Sequence, residues 1–217
     1  MIKCIILDHD GAVIDLLPYH FLAWQKAFNK FGLDLTVEQF KEKMDDYLRE
    51  QSARNVLPDK DEVFIQRLAD LKQIYYINDI DKRPPETLPH FMVTVNNLRQ
   101  AGYKIGVAGS SKNTVFILEK MGIISQFDTI VDRYDFTDPK PAPDIYHVAI
   151  DHLGCAPQDS VIVDDSVRGV TAAQQTGAKV VAITTTHPAE RLKTLNPDAV
   201  IDSLSELTPD FIKSLGK

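Results

Sequence analysis

The feature that most limits how this chain can fold is a set of short apolar runs, rich in β-branched residues and returning at long intervals: IKCIIL (2–7), YKIGVA (103–108), FDTIV (127–131), SVIVD (160–164) and AKVVAI (178–183). Each run is continuously apolar, not alternating, which is the pattern of a strand buried on both faces. Such strands belong in a parallel sheet flanked by helices, and from the second run onward the gaps suit crossover helices. The expected fold class is α/β, a doubly wound parallel-sheet (Rossmann-like) core.

The gap between the first two runs is different. Roughly ninety residues are far more than one crossover needs. Within it, residues 17–31 place His20, Trp24, Ala27 and Phe31 on one helical stripe, and helical patterns follow at 36–50 and 60–76. NDIDKRPPETLP (78–89), with adjacent prolines and dense charge, reads as a linker before a helix over 88–101. The expectation is a core from residues 1–15 and 88–217, with an inserted all-helical domain and its linkers at 16–87.

Composition narrows the function. A net charge of −7 without a Lys/Arg cluster gives no electrostatic footprint for nucleic acid or an anionic membrane. No apolar stretch approaches membrane-spanning length, and the first apolar run meets carboxylates at once, unlike a signal peptide. Cys4 and Cys155 form no C-x-x-C pair, so they are expected to be separate, inert packing residues in a reducing compartment, with no zinc site. A cytoplasmic monomer that binds neither nucleic acid nor membrane is expected.

In open α/β sheets ligands bind beyond the carboxyl ends of the strands. There the sequence supplies Asp8 and Asp10, then Gly109-Ser110-Ser111, then Lys140 in DPKPAPD, then Asp164 and Asp165. Strand alternation sends Asp8 and Asp10 to one side and His9 to the other. Several carboxylates cannot stay ionised together without a cation, and oxygen-coordinated Mg²⁺ answers that need. With the metal present, one carboxylate can attack phosphorus while its neighbour handles a proton and a lysine offsets phosphoryl charge. Each feature also has an ordinary reading. Asp8 and Asp10 could be solvated turn residues, Asp164 and Asp165 could favour the start of a following helix, and the His20–Trp24 stripe could be core packing.

ILDHDGAVID (6–15), VAGSSKN (107–113), DPKPAPDIY (138–146) and VIVDDSVRGVTAAQQTGA (161–178) resemble, in order, the motifs of the haloacid dehalogenase superfamily of phosphotransferases. The resemblance implies Asp8 as nucleophile, Asp10 as general acid/base and Lys140 as the residue that stabilises the phosphoryl group. It also implies a Mg²⁺ site formed by Asp8, the Asp10 carbonyl, Asp164 and Asp165. The helical insert is similar to the cap of the β-phosphoglucomutase and sugar-phosphate phosphatase subfamily. There His20, Trp24, Arg49 and Lys72 match substrate-contacting positions, as do Lys112 and Asn113 in the loop expected to bind phosphate, Gly109-Ser110-Ser111-Lys112-Asn113.

Three positions depart from the mutase pattern. Gly109 stands where a serine or threonine is expected, so Ser110, Ser111 or backbone N–H groups must substitute; Leu16 replaces a threonine; and Asp46, beside Asp45, stands in for a loop glycine. The function expected is a Mg²⁺-dependent phosphatase for a small phosphorylated metabolite, a sugar phosphate, acting through an aspartyl-phosphate on Asp8. A β-phosphoglucomutase interconverting β-glucose 1-phosphate and glucose 6-phosphate is the alternative. A catalytically impaired phosphate-binding protein is the reading from another class.

Overall fold

The structure is a computed structural model that describes residues 1–44 and 47–216, so Asp45 and Asp46 lie outside the described residues. The chain forms two compact units: Met1–Asp15 with Pro85–Lys217, and Leu16–Pro84.

In the first unit, the apolar runs become parallel strands. β1 (Cys4–Asp8) lies between β2 (Lys104–Ala108) and β4 (Ser160–Asp164), with β3 (Thr129–Val131) beyond β2 and β5 (Lys179–Ile183) beyond β4. β6 (Ala199–Ile201) adds a further parallel strand at the β5 edge. Its three residues, flanked by Asp198 and Asp202, make no run long enough to stand out in the sequence. The order β3-β2-β1-β4-β5-β6 makes this the expected doubly wound α/β sheet. After β3 the chain crosses to the far side of β1, which puts the topological switch point where β1 and β4 end.

Helices α5 (Phe91–Gln100), α6 (Thr114–Lys120), α7 (Asp144–Leu153), α8 (Val167–Gln175), α9 (Ala189–Lys193) and α10 (Pro209–Leu215) complete this unit. Ile145, Ala149, Leu153, Val170 and Ala173 from α7 and α8 pack with Cys4, Ile6 and Ile162 of the sheet in one apolar cluster. Cys4 and Cys155 are joined as a disulfide, with Cα atoms 6.5 Å apart. That corrects the expectation of two separate cysteines: the parallel sheet and the turn after α7 bring together residues 151 apart in sequence.

The second unit is helical among its described residues: α1 (Leu17–Lys30), α2 (Val37–Lys43), α3 (Arg49–Val56) and α4 (Glu62–Lys82). α1 packs along α4, and Trp24, Ala27, Phe28, Phe40, Ile65 and Leu68 form its core. The helix expected over 36–50 stops at Lys43, and α3 starts at Arg49. The linker expected from residue 78 also starts later, because charged residues sit well on an exposed helix end and the prolines at 84 and 85 set the stop. No helix among the described residues is long and apolar enough to cross a membrane.

Candidate active site

Parallel register sets the site. Leu7 lies opposite Val163, so β1 and β4 deliver Asp8 and Asp164 to the same end of the sheet, with Asp165 next in the chain. One carboxylate oxygen from each of Asp8, Asp164 and Asp165 lies within 4.8 Å of the other two, and all three residues are buried. Two glycines make room for them. A Cβ at Gly11, which has φ +99°, would come 2.0 Å from the Asp165 carboxyl, and one at Gly169 would come 1.8 Å from Asp164 Oδ2. Gly11 also closes the turn after β1, donating its N–H to the Ile14 carbonyl at 2.6 Å.

Lys140 enters this cluster from the loop before α7. Its Nζ donates to Asp8 Oδ1 at 2.5 Å and to Asp164 Oδ2 at 2.7 Å, and only 11 % of its side chain is exposed. The loop is tied down as well, since Arg168 and Gln175 of α8 donate to the Lys140 and Pro141 carbonyls. Burial alone would lower the Lys140 pKa, but the Asp164 and Asp8 charges outweigh it and hold the ammonium well above its ordinary value. The other oxygen of Asp164 is held as well: Oδ1 accepts from the Ser166 N–H at 2.8 Å and the Ser166 hydroxyl at 3.0 Å. The start of α8 is capped by the Ser166 hydroxyl, which accepts from the Gly169 N–H at 2.9 Å.

Asp165 behaves differently. Burial, with Asp164 and Asp8 beside it, pushes its carboxyl well above the usual range, opposed by a hydrogen bond from the Thr186 hydroxyl. Three buried carboxylates face one ammonium. Convergent oxygen donors with excess negative charge fit a hard divalent cation, and Asp8, Asp164 and Asp165 are the residues that could hold it. Asp10 is half-buried, its backbone bridges to Ile14, and its charge contributes to raising the Asp165 pKa. His9, between the two acids, is fully buried with Nε2 unpartnered among the described residues. Burial first, and Lys140 second, lower its pKa to about 3, so it is a neutral core residue.

The loop expected to bind phosphate follows β2. Gly109 is buried, Ser110 and Lys112 are exposed, and Ser111 and Asn113 are half-buried. The Asn113 N–H donates to Ser111 Oγ at 3.1 Å, while Lys112 Nζ lies 5.5 Å from the ring centre of the exposed Tyr134. A Cβ at Gly109 would meet Thr114 Oγ1 at 2.2 Å and His9 Cβ at 3.0 Å, so the space of a serine or threonine side chain is already filled.

In the helical unit, Lys72 Nζ donates to His20 Nδ1 at 2.8 Å and sits 4.2 Å from the Tyr76 ring centre, on which His20 stacks. Trp24 lies 5.7 Å from the same Nζ but is 3 % exposed and packs in the core. Arg49 is directed to Gln73 at 3.0 Å and to the neighbouring Glu50.

Residues 5–183 match the model of the haloacid dehalogenase-like hydrolases. The chain belongs to this family. As a haloacid dehalogenase-like hydrolase it is an enzyme whose relatives include phosphatases and phosphomutases. It is 28% identical to the β-phosphoglucomutase of Bacillus subtilis, over 97% of this chain and 93% of that one. It is 24% identical to the phosphoglycolate phosphatase of Nitrosococcus oceani, over 94% of each. The crystal structure of a β-phosphoglucomutase from Clostridium difficile superposes with a TM-score of 0.86 at 27% identity, covering 100% of this chain and 97% of that one.

Two hydroxyls around the site of this hydrolase receive no role from the motifs, although one of them ends the stretch DPKPAPDIY. Tyr146 donates its hydroxyl to Asp164, and its ring lies 4.8 Å from Lys140 Nζ. Thr186 bonds to Asp165 and to His187 Nδ1 at 3.0 Å. Both hydroxyls lie far from their acids in sequence. The available signals are weak: a tyrosine in the first turn after KPAPD, and threonines just past the end of a buried strand.

Proposed function

We propose that this hydrolase is a Mg²⁺-dependent phosphatase of a small phosphorylated metabolite, a sugar phosphate, working through an aspartyl-phosphate on Asp8. The observation that carries the reading is Lys140, buried and bonded at once to Asp8 and Asp164 beside a third buried carboxylate. An ion pair built only for stability would not need an extra, uncompensated acid.

Asp8 attacks the phosphorus through a carboxylate oxygen while the phosphorus–oxygen bond to the metabolite breaks, and Asp10 gives the departing alkoxide its proton. Water then attacks the aspartyl-phosphate, Asp10 takes the water's proton, and the bond from phosphorus to Asp8 breaks, releasing phosphate. Lys140, held as an ammonium, orients Asp8 and offsets charge on the phosphoryl oxygens. Ser110, Ser111, Lys112, Asn113 and the Gly109 backbone receive the remaining phosphoryl oxygens. Asp8, the Asp10 carbonyl, Asp164 and Asp165 would hold Mg²⁺, which would supply charge neutralisation during transfer.

The full-length likeness to a β-phosphoglucomutase supports a second reading, in which a sugar hydroxyl replaces water as acceptor and His20, Trp24, Arg49 and Lys72 bind the sugar phosphate. The pairing of buried Lys72 with half-buried His20 favours it, because a lysine withdrawn from solvent onto a ring nitrogen is rarely a plain surface charge.

Phosphorus NMR with Mg²⁺, β-glucose 1-phosphate and a trace of glucose 1,6-bisphosphate separates the readings, against an Asp8→Asn control. Inorganic phosphate, absent in the control, is the expected result. Glucose 6-phosphate without inorganic phosphate selects the mutase. No turnover of this compound or of a panel of sugar phosphates would refute both and leave a phosphate-binding protein.

A further inference from the structure

Tyr146 lies in the first turn of α7, has no exposed surface, and is the one aromatic ring in contact with the Lys140 ammonium among the described residues. Its hydroxyl donates to Asp164 Oδ2, the oxygen that also accepts from Lys140. Counting the two donors from Ser166 on Oδ1, Asp164 accepts four hydrogen bonds. We propose that Tyr146 is a positioning residue for phosphoryl transfer: its hydroxyl locks the Asp164 carboxylate and its ring face seats the Lys140 ammonium, so that Lys140 meets Asp8 in one geometry. The proposal rests on the roles given above to Asp8 and Lys140.

A lysine side chain is a flexible four-carbon stem carrying a point charge, and two carboxylates alone fix its tip only along two directions. An aromatic face supplies a third contact, electrostatically favourable and stronger in a site shielded from water. The hydroxyl prevents Asp164 from rotating away with the ammonium. Tyr146 also belongs to the apolar cluster of α7, α8 and the sheet, and for that packing a phenylalanine would serve as well. The hydroxyl therefore separates a positioning role from a packing one.

The test uses Tyr146→Phe, which keeps the ring, Tyr146→Leu, which removes ring and hydroxyl, and Lys140→Met, alone and combined with Tyr146→Phe. With p-nitrophenyl phosphate and Mg²⁺, Tyr146→Phe should lower kcat about tenfold with KM little changed, the factor expected for one hydrogen bond to a charged group. In the Lys140→Met background the same change should cost under about twofold, because it acts through Lys140. An equal loss in both backgrounds, or none in either, overturns the proposal. If instead Lys140→Met leaves turnover unaltered, the reading of the site itself fails.

A second measurement does not depend on turnover. In NMR of lysine-labelled protein, the Lys140 ε-methylene signal, assigned by its disappearance in Lys140→Met, should be shifted upfield by the ring, keep that shift in Tyr146→Phe and lose it in Tyr146→Leu. An unshifted signal in the unmodified protein overturns the proposal.

Discussion

Placing a hydroxyl at position 109, in the loop after β2, should damage the protein. In Gly109→Ser, the new Cβ would lie 2.2 Å from Thr114 Oγ1, 2.9 Å from Thr114 Cγ2 and 3.0 Å from His9 Cβ. Ordinary contacts between such atoms fall at about 3.5–4.0 Å. Thr114 cannot yield cheaply, because it is fully buried at the start of α6 and its hydroxyl donates to the Ser111 carbonyl at 2.9 Å. Overpacking of this kind costs about 1–3 kcal/mol, and losing the threonine hydrogen bond adds about 1 kcal/mol. The sum, about 2–4 kcal/mol, corresponds to a fall in Tm of roughly 4–16 °C for a domain of this size. Thermal melts of Gly109→Ser, Thr114→Ala and the double variant check it. The double variant should recover most of the loss, since alanine removes both of the closest atoms. A Gly109→Ser protein that melts with the parent, or a double variant no better than the single one, would refute the steric argument.

Other expectations follow from the buried titrating groups. His9 is neutral when folded, with a pKa lowered to about 3 from 6.5, so its contribution is present above pH 6.5 and is lost as pH falls toward 3. Between pH 7 and pH 5 this amounts to about 2 kcal/mol, and urea titrations in chelator should show that much less pH sensitivity in His9→Asn than in the parent. Asp165 has the opposite sign: its raised carboxyl pKa makes the metal-free protein lose stability as pH rises through the window above the usual carboxylate range. Mg²⁺ should therefore raise Tm more at pH 8 than at pH 5, and equal shifts would count against Asp165 as a ligand. Thr186→Val removes the hydroxyl that holds Asp165 and should weaken Mg²⁺ binding about 10–100-fold by calorimetry, while unchanged affinity would make that contact incidental.

The sheet was legible because a strand buried on both faces leaves an uninterrupted apolar run, and the residue just past it is the one presented at the carboxyl end. Asp8, Lys140, Asp164 and Asp165 sit in or beside such local motifs, and the structure gathers them. What escaped depends on distance. Cys4 and Cys155 meet only because β1 and the turn after α7 are neighbours in space, and Thr114 fills the place of a side chain at 109 from the next helix. Charge density misplaced the end of α4, since Asp79, Asp81 and Lys82 are as content on a helix as in a linker. The aromatic stripe of α1 divided between two environments: Trp24 is core, whereas His20 is half-buried against Lys72.

The position of β1 has a consequence for how the protein is made. This strand leaves the ribosome first, yet its partners are β2 and β4, and β4 is complete only at Asp164. At about 5–20 residues per second, the strand bearing Asp8 waits roughly 8–30 s for its second neighbour, with the β4 side of Cys4, Ile5, Ile6 and Leu7 unpaired throughout. Leu16–Pro84, being one continuous segment, can settle into its own helices during that wait, so the helical unit is finished while the sheet that carries the acids has not yet begun to close.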